Sequence, residues 1–139
     1  FEDLYKPNGD TAIAASGANA PAASNLNNEL WNGTSWTEDA NVNTARIKHG
    51  GCGTSTLALI FGGLIGPAPP ERVGGETEEW DGTSWTEVND LNTDRRNPGC
   101  AAGTQAAGLL AGGDNPSPGL VNATEEYTKA NAASSFTSS

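Results

Sequence analysis

The sequence has no methionine, one histidine and two cysteines among its 139 residues. A metal ligand set or a Ser/His/Asp triad would have to use His49. Its surroundings, Lys48 and Gly50-Gly51, hold no acidic cluster, and His49-x-x-Cys52 supplies only two of the four ligands that a structural zinc wants. Two cysteines are no disulfide framework and set no redox compartment. Cationic side chains are scarce too: 7 Lys and Arg against 17 Asp and Glu give a net charge of −10. Such a surface repels phosphate backbones, so nucleic acid is excluded as a partner. The longest apolar run, Leu57 to Phe61, falls far short of the roughly 20 residues of a membrane-spanning helix. No stretch shows apolar side chains at helical period. No signal peptide opens the chain, which starts at Phe1. It reads as a processed protein or as a segment of a longer polypeptide.

What is present is a repeat. Glu29-Leu30-Trp31-Asn32-Gly33-Thr34-Ser35-Trp36-Thr37-Glu38 returns as Glu79-Trp80-Asp81-Gly82-Thr83-Ser84-Trp85-Thr86-Glu87, with both tryptophans displaced by 49 positions. Arg46 returns as Arg95 at the same offset; Gly62-Gly63 returns as Gly112-Gly113 at an offset of 50. Fainter copies flank these. Ser16-Gly17 is a reduced glycine doublet, Glu125-Glu126-Tyr127 repeats Glu78-Glu79-Trp80, and Ser135-Phe136-Thr137 is a decayed Ser84-Trp85-Thr86. The chain holds about 2.8 copies of a 49-residue unit.

Each copy reads as four short strands. The first, Ala45 to Gly53 and Asp94 to Gly103, is crowded with small side chains. The second, Ser55 to Gly63 and Gln105 to Gly113, is the most apolar, with Leu57, Leu59 and Phe61 on one face. The glycine doublet ends it. A variable loop follows, Pro-rich at 66–75 and shorter at 114–119. The third strand runs over Glu29 to Trp31, Thr77 to Trp80 and Thr124 to Tyr127, the fourth over Ser35 to Glu38 and Ser84 to Val88. The Asn-Gly and Asp-Gly steps between them predict type I′ turns.

A four-stranded antiparallel unit of this length is the period of a β-propeller blade. Here the sequence resembles the kelch family. The marks are Arg46 and Arg95, the doublets Gly62-Gly63 and Gly112-Gly113, the aromatic at Trp31, Trp80 and Tyr127, and the following Trp36 and Trp85. Within that family the likeness is to the Gly-Thr-Ser-Trp-Thr-Glu repeats of bacteriophage structural proteins. The resemblance implies an all-β chain of about three four-stranded antiparallel blades. Residues 1–43 are an incomplete first blade, which lacks an inner strand unless Phe1 to Tyr5 supplies it. Residues 44–92 are the second blade, and 93–139 the third, with a degenerate outer strand. Propellers close with about four to eight blades. This part is therefore completed by copies of itself, by further blades of a longer chain, or as an open array.

The nine blade-packing positions are Trp31, Trp36, Trp80, Trp85, Tyr127, Gly62, Gly63, Gly112 and Gly113. Arg46, Arg95 and Arg96 allow two readings, ligand capture at a ring mouth or ion pairs to the Glu-rich third strand; repetition in register favours the second. The repeated glutamates could in principle work as an acid–base pair, but recurrence with the blade favours solvated strand faces. Cys52 and Cys100 are one position out of register, which favours free thiols over a bridge between blades. Asn32 and Asn122 lie in glycosylation sequons. Loops on a rigid scaffold carry specific contacts, so the candidate interaction residues are Pro67, Pro69, Pro70, Glu71, Arg72, Asp114 and Asn115. No catalytic, cofactor or metal residue is assigned. The expected role is a non-enzymatic structural or adhesive module of a virion or extracellular assembly, without membrane insertion. It would act through protein–protein contacts and glycan or host-surface contacts of the loops. The rivals are a fragment of a galactose oxidase-like copper enzyme, which needs two Tyr and two His ligands, and a peptide-binding kelch adaptor.

Overall fold

A computed structural model describes residues 11–19, 23–66, 72–98, 100–115, 119–129 and 134–138. All regular structure among them is β, the main sheets are antiparallel, and no helix is long and apolar enough to cross a membrane. The first sheet comprises β1 (Ala12–Asn19), β2 (Ala23–Trp31) and β3 (Trp36–Asp39), in that order. The middle sheet has β4 (Arg46–Ile47) and β5 (Gly50–Gly53), both pairing β6 (Ala58–Ile65), then β7 (Arg72–Trp80) and β8 (Trp85–Val88). The third sheet contains β9 (Cys100–Thr104), β10 (Ala107–Ala111), β13 (Thr124–Lys129) and β14 (Ser134–Ser138). Between β10 and β13, β11 (Asp114–Asn115) and β12 (Gly119–Leu120) form a small hairpin.

The sheets lie face to face. β6 is buried along its whole length and alternates its side chains between two cores. Ala58 and Ile60 join Trp80, Trp85 and Val42, against Ile13, Ala15 and Leu30 of the first sheet. Leu59 and Phe61 join Leu91, against Leu110 and Tyr127 of the third. The predicted Leu57, Leu59 and Phe61 face is thus two-thirds realised: Leu57 sits before the strand and is exposed.

Several local expectations are corrected. The predicted first strand breaks at Lys48, whose φ of 57° interrupts the ladder between β4 and β5; Asn97 does the same at φ 46°. The glycine doublet does not end the second strand of the middle sheet. Gly62 and Gly63, at φ 66° and 109°, make a bulge, and β6 continues to Ile65. The Pro-rich loop is shorter than predicted, because β7 starts at Arg72 and Gly74 pairs with Gly63. The turns are not type I′. Four residues separate Trp31 from Trp36, and only Gly33 and Gly82, each at φ 94°, have positive φ there. A side chain closes each turn instead: Asn32 Oδ1 accepts Thr34 N–H at 2.9 Å and Ser35 N–H at 3.0 Å, and Asp81 Oδ1 accepts Thr83 and Ser84 N–H at 2.9 and 2.8 Å. These bonds hold the Asp81 carboxyl below its ordinary pKa. A first inner strand at Phe1 to Tyr5 lies outside the described residues.

Candidate interaction site

The most closely repeated polar feature lies inside each unit. Arg46, fully buried, pairs with buried Glu78 at 2.8 Å; Nη1 donates to the Gly62 and Glu76 carbonyls at 3.2 and 2.5 Å, and Nε to the Thr44 carbonyl at 3.3 Å. Glu78 in turn accepts Asn43 N–H at 2.7 Å and Thr44 N–H at 3.0 Å. Arg95 repeats the plan: Glu125 at 2.6 Å, the Gly112 and Ala123 carbonyls at 3.0 and 2.7 Å, and the Thr93 carbonyl at 3.3 Å. Glu125 accepts Asn92 and Thr93 N–H at 2.7 and 3.2 Å. These arginines therefore make structural clasps to the third strand. Burial pulls the Arg46 guanidinium below its ordinary pKa, with Glu78 opposing. Each clasp anchors the segment that crosses from one sheet to the next. Val42 N–H reaches the Leu26 carbonyl at 3.0 Å and Leu91 N–H the Gly75 carbonyl at 2.9 Å, 49 positions on. Val42 and Leu91 are buried at both crossings; their 49-residue spacing was the available signal in the sequence.

The first sheet solves the crossing differently at one point. Ser16, at φ 59°, occupies the place of Gly62, where a Cβ would stand 2.6 Å from the Arg95 carbonyl. Its hydroxyl lies 2.7 Å from the Arg46 carbonyl and accepts Arg46 N–H at 3.0 Å, so the side chain bridges the sheets where bare backbone does so elsewhere.

Strand register places Trp31 opposite Trp36, Trp80 opposite Trp85 and Tyr127 opposite Phe136. The rings of the two tryptophan pairs tilt against each other at 5.6 and 5.4 Å between centroids. Their exposure differs. Trp80 and Trp85 are buried beneath the first sheet and Tyr127 beneath the middle sheet. Trp36 is 49% exposed and Trp31 is half-buried. At the opposite end, Leu109 is 36% exposed, whereas Leu59, in the same register, is wholly buried. A shallow apolar depression of about 410 Å³ surrounds Leu109, lined by Ala102, Ala107, Gly108 and Glu126.

A cavity of about 300 Å³ opens between the first and middle sheets, lined by Ile13, Ala15, His49, Cys52, Ile60 and Trp85 among others. Burial and the nearby Arg46 charge drive the His49 pKa down to about 4, against the pull of a bond to the Ala15 backbone. Cys52 is a free, half-buried thiol 3.6 Å from the Thr104 carbonyl, its pKa raised by burial. Among the described residues no three His, Cys, Asp or Glu gather as a metal ion requires. Asn28 is fully buried and neither amide atom meets a partner among the described residues; the equivalent Thr77 bonds the Gly75 carbonyl at 3.1 Å.

Of the loop residues, Pro67, Pro69, Pro70 and Glu71 lie outside the described residues. Arg72 is exposed and pairs with Glu76. Asp114 accepts Arg96 Nε at 2.7 Å and Asn97 Nδ2 at 3.0 Å, which holds its carboxyl below the ordinary range. Asn115 Nδ2 donates to the Asp94 carbonyl at 2.9 Å. The hairpin carrying Asp114 and Asn115 is thus tied to the start of the third unit, and it presents Leu120 at 89% exposure. Sequence reasoning did not single out Leu120.

The architecture defines an all-β protein of antiparallel sheets packed face to face in repeating register. No protein-family model matches the sequence, and no curated protein matches it. Among solved structures the fold is similar to that of YjhT: the TM-score is 0.78 over 94% of this chain, at 13% identity. The match covers 43% of the YjhT chain, so this chain spans less than half of that protein's length.

Proposed function

We propose that the chain is a run of about three kelch-like propeller blades, a non-enzymatic structural or adhesive module of a virion or extracellular assembly. Its work is done by contact: blade faces bind further blades, and the loops at Arg72 and at Asp114–Asn115 face an external surface such as a glycan. The observation that carries this reading is the recurrence of one packed interface in strict register. The Arg46–Glu78 and Arg95–Glu125 clasps, and the aromatic at Trp80 and Tyr127, serve the same places in successive sheets. Side chains copied with the unit support architecture, since a reaction needs one site rather than one per repeat. The virion setting comes from the likeness to phage repeats.

Imaging of the native assembly tests the proposal. Closed rings of radially arranged sheets are the expected result. A native particle in which this wedge has no sheet packed on its end faces would overturn it.

A further inference from the structure

We infer that the Trp31/Trp36 face of the first sheet and the Leu109 face of the third are two halves of one contact, made head to tail between copies of this chain. The inference rests on the module reading above and names the partner. Ile13, Leu59 and Leu109 hold one register position, opposite Leu30, Glu79 and Glu126 respectively. Trp31/Trp36, Trp80/Trp85 and Tyr127/Phe136 hold the complementary pair of positions. The contact between these two faces forms twice within the chain: the Ile13 face covers Trp80 and Trp85, and the Leu59 face covers Tyr127. Among the described residues a third Leu-type face and a third aromatic face remain open, with Leu109 36% and Trp36 49% exposed. One chain therefore carries one unfilled half of each kind, and a second copy supplies both at equal stoichiometry. Docked so, the interface continues the internal stack without a new geometry. A tryptophan face laid on a tryptophan face would use a pairing found at neither internal interface and leave Leu109 uncovered. The contact is heterologous, closing into a ring where the rotation allows and extending where it does not. With a net charge of −10 per chain, copies repel at long range, so salt strengthens the association.

Sedimentation of the purified chain decides it. The expected species has a mass that is a multiple of 14.2 kDa and grows more populated from low to high salt. Trp36→Glu and Leu109→Glu, each on an open face, both reduce it to single chains with unchanged circular dichroism. An equimolar mixture of the two variants regains a two-chain species, because one keeps an intact Leu109 face and the other an intact tryptophan face. A misfolded variant gives no such rescue. Single chains of wild type at every salt concentration overturn the inference, as do Leu109→Glu assemblies indistinguishable from wild type. If purified chains stay single while native particles show a sheet packed on each end face, this contact falls and the module reading stands; end faces left bare in the native particle as well remove both.

Discussion

Between the first and middle sheets, Trp80 donates its indole N–H to the Ser55 carbonyl at 2.9 Å and clusters with Leu30. Between the middle and third sheets the matching positions hold Tyr127 and Glu79. There the phenol donates to the Glu79 carboxylate, and Lys129 Nζ reaches its other oxygen at 2.6 Å. Gln105 adds a bond to the Trp80 carbonyl at 2.7 Å. Both interfaces bury apolar area, and the second adds a small charged network on the same backbone plan. The difference teaches that the plan resides in strand register and in the Arg–Glu clasps. The side chains in between can change chemistry as long as they change together.

The clasps, common to both interfaces, carry the largest expected effect. Glu78→Ala or Glu125→Ala strands a buried guanidinium, a loss of about 3–5 kcal/mol in either case. Urea denaturation midpoints measure it, and a clearly smaller loss at one site would show that the interfaces differ in their anchoring as well as in their filling. Acid separates them next. His49 belongs to the first interface, and the equivalent position at the second is Pro98. The folded-state pKa of about 4 lies below the ordinary 6.5, so the folded form resists protonation. The His49 contribution to stability is complete above pH 6.5, falls as pH drops towards 4 and levels below it, by about 3 kcal/mol in total. Denaturation at pH 7 and pH 4 reads this, and His49→Gln should remove that part of the slope. The smallest effect concerns the second interface. Tyr127→Phe leaves Glu79 short of a donor and costs about 1–3 kcal/mol. Pairing it with Glu79→Leu, which copies the first interface, should recover part of that loss through a coupling of about 0.5–3 kcal/mol. Additive single effects would sink the idea that the two positions act as a pair.

Much of this architecture was legible because the repeat displays it. Equal spacing marked Arg46 and Arg95 together with the Glu-rich strand, and period-2 alternation found Leu59 and Phe61. The turn chemistry was misread since Asn-Gly and Asp-Gly serve more than one geometry; here Asn32 and Asp81 use their side chains as acceptors instead of adopting positive φ. The break at Lys48 was invisible because nothing about lysine announces a left-handed backbone. The uneven exposure of Trp36 and Trp85 was also beyond reach: the two residues sit in near-identical decapeptides, and only the neighbouring sheet distinguishes them.

β6 gives both of its faces to other sheets and keeps none for solvent. Its backbone amides can exchange with deuterium only after an outer leaf has peeled away. In a laminate of this kind loosening proceeds from the margins, and the Ala58–Ile65 strand is where protection persists longest.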